Sequence, residues 1–177
     1  MSNITEIYKG KFLSVVKDGS WEYVTRPNVT GIVVIVPITE NNEFVFIEQY
    51  RIPIKSNIIE FPAGLVDKDE SELEAAHREL LEETGYKVEN MNYMFSGPPS
   101  AGLSDEIISF YIAVDCKKLE EAKGDGHEQI ITHVVPVEEA YEWLLKRMKE
   151  KNMVDLKVWT GIYFLMLCDI TLKGRTK

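Results

Sequence analysis

The amino-acid sequence predicts an α/β fold (α+β in part), an α/β/α sandwich around a mixed sheet, with an N-terminal antiparallel strand segment. Three observations carry this. Gly31 to Ile38 is a continuous apolar run of strand length, which fits a central strand buried on both faces. Short β-branched and aromatic runs surround it, separated by Gly, Asn and Asp. Later segments switch to a helical period, and strands followed by helices pack as layers around one core.

In chain order, Ile4 to Tyr8, Phe12 to Lys17 and Trp21 to Thr25 read as short strands, with turns at Lys9-Gly10 and Asp18-Gly19. Gly31 to Ile38 then forms a hairpin with Phe44 to Gln49 across Glu40-Asn41-Asn42. A helix runs from Ser71 to Gly85. Ser71 and Glu74 have the spacing of a capping box, and Gly85 suits the left-handed residue that closes a helix. Leu73, Ala76 and Leu80 lie on the side of this helix that can face a core. Asn92 to Ser96, Ile107 to Asp115 and Gln129 to Val135 are further strands. Val137 to Lys149 and Leu156 to Leu172 carry helical periodicity. The division expected is a strand segment over 1–28 and the main domain over 29–177.

A chain of 177 residues is long enough for one domain with a sizeable core. Its 45% apolar and 28% charged content is that of an ordinary globular protein. The net charge of −9 argues against nucleic-acid or anionic-membrane partners, which call for basic surface. An anionic ligand would then need metal ions or a few placed arginines. Cys116 and Cys168 lack metal-ligand spacing and read as reduced thiols. The first residues hold no apolar signal-like stretch and no run is long enough to span a bilayer, so a soluble cytoplasmic protein is expected.

The densest chemistry lies in residues 64 to 86. Glu79 and Glu83 are four apart, one above the other on a helix face. At about 100° per residue, Glu82 falls beside both. Three crowded carboxylates repel one another, which favours a purpose such as holding a hard divalent cation. Mg2+ takes oxygen ligands and sits with substrate phosphates. The bland reading is a solvated acidic face in which Arg78 pairs with Glu82 at i,i+4. Gly64 and Glu70 precede the helix, and with them the cluster matches a wider pattern. Glu70 lies too far from Glu79 for chemistry and reads as support for the loop. His77 reads as helix surface.

Gly64, Glu70, Arg78-Glu79-Leu80, Glu82-Glu83 and Gly85-Tyr86 together reproduce the Nudix box, G-x5-E-x7-R-E-U-x-E-E-x-G-U with U apolar. Only Tyr86 is loose, since aliphatic residues are commoner there. The chain thus resembles a Nudix hydrolase, a family that cleaves nucleoside diphosphates linked to another group. Glu48-Gln49-Tyr50-Arg51, Glu60-Phe61-Pro62-Ala63-Gly64, Trp21-Glu22 with Arg26, and Gly102-Leu103-Ser104 look like the ADP-ribose and ADP-sugar pyrophosphatase branch. The resemblance implies the same sandwich fold. It implies Mg2+, or Mn2+, held by Glu79, Glu83 and the Ala63 carbonyl with Glu82 assisting. It implies a homodimer in which the N-terminal segment reaches across and Trp21 helps build the partner's adenine pocket. Substrate-binding residues would be Trp21, Glu22, Arg26, Arg51, Gly102 and Leu103, and ADP-ribose would give AMP and ribose 5-phosphate. One departure stands out: where the branch carries a Pro before a Gly, this chain has Ala101, and a loosened sugar pocket would follow.

Each flanking residue also has an ordinary reading. Trp21 could be core, although aromatic rings also stack on adenine. Arg26 and Arg51 could be strand-edge charges, but at a net charge of −9 they suit bidentate phosphate clamps. A general base is expected from a loop that closes on substrate. Lys123 to Gln129, with Gly124 and Gly126, offers Glu128, with Asp125 as the alternative. Two rivals remain: a nucleotide-sugar sensor without turnover, and a Nudix enzyme for another nucleoside diphosphate derivative such as an RNA cap. The intact Glu79, Glu82 and Glu83 weigh against the first. The acidic balance weighs against the cap.

Overall fold

Alternation along two neighbouring strands sets the layers. The computed structural model describes residues 4–122, 130–150 and 152–167. In it β4 (Gly31–Thr39) and β10 (Ile108–Lys118) run parallel, Ile108 beside Ile32 through Val114 beside Ile38. Val34, Val36, Ile38, Phe110 and Ile112 point to one face, whereas Val33, Ile35, Tyr111 and Ala113 point to the other. Both strands are therefore covered twice, which is why β4 reads as an unbroken apolar run. Helix α1 (Glu72–Thr84) covers one face through Ala75, Ala76 and Leu80. Helices α2 (Ala140–Lys149) and α3 (Leu156–Leu167) cover the other through Ala140, Leu144, Val158 and Leu165. This is the α/β/α sandwich that the sequence predicts.

The remaining strands extend the sheet on either side. They are β5 (Glu43–Arg51), β6 (Ser56–Glu60), β7 (Ala63–Val66), β8 (Tyr86–Lys87), β9 (Met91–Gly97), β11 (Ile131–Pro136) and β12 (Met153–Val154). The expected β4–β5 hairpin is real but short, with one register pair, Ile38 opposite Phe44. Beyond it the two strands part. β7 fills the edge of β4, with Ala63 opposite Val34 and Gly64 opposite Val33. β6 fills the edge of β5, with Ile47 opposite Glu60 and Arg51 opposite Ser56. The buried Phe61 and Pro62 cross the gap, and the Ile35 amide donates to the Pro62 carbonyl at 2.9 Å. The sheet is thus split where β6 hands over to β7, and α1 lies over the split. Strands β6 and β7 do not stand out in the sequence, because Phe61-Pro62-Ala63-Gly64 interrupts any period.

The N-terminal strands β1 (Ile4–Lys9), β2 (Ser14–Asp18) and β3 (Trp21–Thr25) form a separate antiparallel sheet. Strand β2 starts at Ser14 rather than Phe12, whose ring is left in solvent. Leu73 is another correction: it is exposed, and Ala75 takes the core position expected of it. Helix α2 starts at Ala140 rather than Val137, since Val137 to Glu139 form a turn after β11. Ser71 caps α1 as expected, with the reciprocal Glu74 bond of a capping box, and Gly85 closes it at φ 73°. Strand β10 continues past Asp115 through a bulge at φ 67°. No helix among the described residues is long and apolar enough to cross a membrane.

Candidate active site

The sheet split and the α1 face above it bring together Ala63, Gly64, Glu79 and Glu83. The Ala63 amide donates to Glu83 Oε2 at 2.9 Å. Gly64 lies under Glu79: a Cβ built on it would sit 1.9 Å from Glu79 Oε1. Only a residue without a side chain allows that approach. Burial pushes the Glu83 carboxyl up to about 8, with the Ala63 amide opposing and the Glu79 charge adding to the shift. Burial also raises Glu79, against the pull of Arg78. Two half-buried carboxylates side by side, each raised by burial against the pull of a nearby arginine, suit a place where a cation binds.

Arg78 organises the outer side. Its guanidinium donates to Glu70 Oε1 at 2.6 Å, to Glu79 Oε1 at 2.6 Å, to Glu82 Oε2 at 3.3 Å and to the Leu65 carbonyl at 3.1 Å. The i,i+4 pair with Glu82 is therefore the weakest part of a larger clamp. Glu70 also accepts from the Asp67 amide at 3.1 Å, so it joins the loop to the helix. Its carboxyl is held below the ordinary range, chiefly by the Arg78 hydrogen bond. Glu82 is the outermost of the three acids, its side chain half exposed.

Arg51, at the end of β5, donates from Nε to Glu60 Oε2 at 2.8 Å, and its charge acts on Glu83. Glu60 is buried and also accepts from Gln49 Nε2 at 3.1 Å. Burial raises the Glu60 carboxyl, against the pull of Arg51. The sequence reading assigned no role to Glu60, Gln49 or Lys157. Their only signal was position: Gln49 and Glu60 flank the expected site residues Arg51 and Ala63.

The other expected residues form a second group around β3. Trp21 and Glu22 are exposed there, as are Gly102 and Leu103. Trp21, Tyr23, Ala101, Gly102 and Ser104 line a cavity of about 310 Å³. The Val24 amide donates to the Leu103 carbonyl at 2.8 Å, and the Asp105 amide to the Val24 carbonyl at 3.3 Å. Arg26 Nε lies 2.5 Å from Glu106 Oε1. Arg26, just after β3, thus ties the N-terminal sheet to Glu106. Glu128 and Asp125 lie outside the described residues.

The donor set fits a hard divalent cation. Glu79 and Glu83 are half-buried carboxylates of α1 that meet the Ala63-Gly64 backbone at the start of β7, and burial raises both. Among the described residues, no three His, Cys, Asp or Glu side chains are yet gathered closely enough to hold an ion.

Comparison with known proteins agrees with this geometry. The NUDIX domain family model matches residues 29–156. A methanol dehydrogenase activator of Bacillus methanolicus is 37% identical over 147 residues, 82% of this chain and 76% of that one. An ADP-ribose pyrophosphatase of Bacillus subtilis (strain 168) is 31% identical over the same shares. A GDP-mannose pyrophosphatase of Yersinia enterocolitica is 30% identical over 77% of this chain and 75% of its own. Among solved structures, an ADP compounds hydrolase superposes with a TM-score of 0.76 over 98% of this chain and 95% of its own, at 19% identity, a likeness of fold. The motif, the carboxylates gathered at the split sheet and the match over 29–156 lead to one assignment: the chain belongs to the NUDIX domain family and is a Nudix hydrolase.

Proposed function

We propose that the protein hydrolyses the pyrophosphate bond of ADP-ribose, or of a related ADP-sugar, to AMP and a sugar phosphate with the help of Mg2+ or Mn2+. The observation that carries this is the pair Glu79 and Glu83, two half-buried carboxylates brought together against the Ala63-Gly64 backbone. Glu79, Glu83 and the Ala63 carbonyl would hold the metal, with Glu82 at its outer side. When bound, such ions neutralise phosphate charge and lower the pKa of a coordinated water. The chain's own groups do the rest. Arg51 binds phosphate oxygens, Arg78 keeps Glu79 and Glu70 in place, and Trp21 offers a ring for the base. Glu22, Arg26, Gly102 and Leu103 complete the nucleotide-binding set. Glu128 serves as general base, with Asp125 as the alternative.

Support for the nucleotide comes from the ADP-ribose pyrophosphatase relative, and the GDP-mannose pyrophosphatase relative makes the choice of base and sugar a matter for test. A panel of ADP-ribose, ADP-glucose, GDP-mannose, Ap4A and 8-oxo-dGTP with Mg2+ decides it. ADP-ribose is expected to give the highest kcat/KM. A tenfold advantage for Ap4A or 8-oxo-dGTP would refute the reading. Glu128→Gln is expected to lower kcat about 10²–10⁴-fold. If that variant keeps more than half of wild-type kcat while Asp125→Asn is inactive, the base is Asp125.

We also propose a cytoplasmic homodimer built through residues 1–28. The exposed Ile4, Ile7, Tyr8, Phe12 and Trp21 of the N-terminal sheet supply apolar surface for it. Light scattering is expected to give twice the 20.3 kDa chain mass, and a monomer at micromolar concentration would exclude it. The methanol dehydrogenase activator relative favours a second reading, in which the protein stimulates a dehydrogenase. Adding it to a purified methanol dehydrogenase with NAD+ and Mg2+ tests this directly.

A further inference from the structure

Glu60 is a buried carboxylate whose own burial is unfavourable, since burial raises its carboxyl against the pull of Arg51. Taking a carboxylate out of water is costly even when it is paired, and well-packed apolar residues often replace buried ion pairs without loss. Yet Glu60 is only 4% exposed, the last residue of β6, three positions before Ala63. Its Oε2 takes Arg51 Nε at 2.8 Å and Gln49 Nε2 at 3.1 Å. Its Oε1 lies 3.8 Å from Lys157 Nζ, which is fixed in turn on Asp155 Oδ2 at 2.5 Å. Asp155 also caps the start of α3 by accepting from the Lys157 amide at 2.7 Å. One carboxylate thus gathers groups from β5, β6 and α3 at the mouth of the sheet split.

The guanidinium is a rigid planar fork, so holding Nε sets the direction in which the whole group points. Phe61 and Pro62 then lead directly from Glu60 to the Ala63 amide that holds Glu83. Gln49 is oriented by the same contact. Its Nε2 is spent on Glu60, and its Oε1 is buried without a hydrogen-bond partner among the described residues. A buried acceptor in that condition is costly unless a donor arrives.

We propose that Glu60 is the positioning residue of the site: it aims Arg51 at the substrate phosphates, with Lys157 balancing its charge from the other side. The proposal rests on the reading of Arg51 as a phosphate clamp. It deepens that reading by saying what makes one arginine in an acidic protein a directed donor. Replacing Glu60 should therefore damage phosphate binding chiefly through Arg51.

The test is a double-mutant cycle of Glu60→Gln and Arg51→Met in the full-length protein, read two ways. Calorimetry with ADP-ribose in EDTA gives affinity without turnover, and steady-state kinetics with Mg2+ gives kcat and KM. Arg51→Met and Glu60→Gln are each expected to weaken affinity about tenfold, the scale of one charge-assisted hydrogen bond. The double variant is expected to be no weaker than Arg51→Met alone, because coupled residues are non-additive. Wild-type affinity in Arg51→Met would overturn the clamp itself. Normal affinity in Glu60→Gln beside a weakened Arg51→Met would overturn only the role of Glu60. Additive losses would also overturn it, since a merely structural Glu60 adds its cost regardless of Arg51. If Glu60→Gln does not fold, Glu60→Asp takes its place. It keeps the charge but withdraws the carboxylate by one bond of about 1.5 Å, and the same outcomes decide.

Discussion

At the scale of the residue, two substitutions separate geometry from charge. Gly64→Ala keeps every ligand but puts a methyl group where Glu79 lies, 1.9 Å from its Oε1. The carboxylate must swing away, and misplacement of about 1 Å can cost on the order of 10²-fold in rate. A loss of that size in kcat/KM is expected, with native circular dichroism. Glu83→Gln keeps shape and removes a half-buried charge. It should abolish metal-dependent turnover, yet raise the melting temperature in EDTA at pH 8, where ionising the wild-type carboxyl works against its burial. Calorimetry that shows no gain would place Glu83 in a wetter setting. The carboxylates were legible in the sequence because helix geometry fixes their spacing. Glu60 was not: its partners Arg51 and Lys157 lie nine residues before it and ninety-seven after it, and only the sheet split brings them together. Arg26 was legible as a cation matching the ADP-sugar pyrophosphatase branch but not as the partner of Glu106 eighty residues away.

At the scale of the element, α1 carries the carboxylates proposed as metal ligands, and its two ends hold it in register. Ser71→Ala removes one side of the capping box, a loss of about 1 kcal/mol by urea denaturation. Gly85→Ala should cost more. Its φ of 73° is in the left-handed region, and an added Cβ would meet the Glu120 carbonyl at 2.0 Å. Left-handed backbone alone costs roughly 1–2 kcal/mol. An equal effect from the two substitutions would mean that the 85–120 contact is loose. Both ends of α1 were readable because caps are local chemistry. The short strands β6, β7, β8 and β12 were not, since each exists only through its partner: β7 through β4, β6 through β5. The core side of α1 was half right, because Leu73 and Ala75 both lie near the boundary of its buried stripe and only the sheet decides between them.

At the scale of the molecule, a buried polar knot fastens α2 to the sheet. Glu48 takes Arg147 Nη2 at 2.8 Å, His133 Nε2 at 2.9 Å, and the amides of Asn152 and Asn57 at 3.0 and 3.2 Å. Burial would raise the Glu48 carboxyl, but the His133 hydrogen bond and the Arg147 charge outweigh it and hold the group below 4.5. A depressed carboxyl contributes stability above its unfolded value and loses it as pH falls through the folded one. Denaturant unfolding is thus expected to weaken progressively below about pH 4.5. Glu48→Gln should lower stability at pH 7 and flatten that acid limb. An unchanged limb would place the acid sensitivity elsewhere. None of this network could be read from the sequence, where Glu48 and Arg147 stand ninety-nine residues apart.

The parallel pairing of β4 with β10 also has a bearing on the order in which the protein assembles itself. Ile32 must wait for Ile108, and the whole Nudix box lies in the loop that this pairing closes. Non-local parallel contacts form slowly, because the chain pays the closure entropy before it gains the contacts. Pulsed hydrogen exchange during refolding is expected to find the α1 amides protected no earlier than those of β10. A nascent chain that has left the ribosome through Gly97 would then hold every residue of the motif and still lack β10, the strand that closes the sheet beside β4.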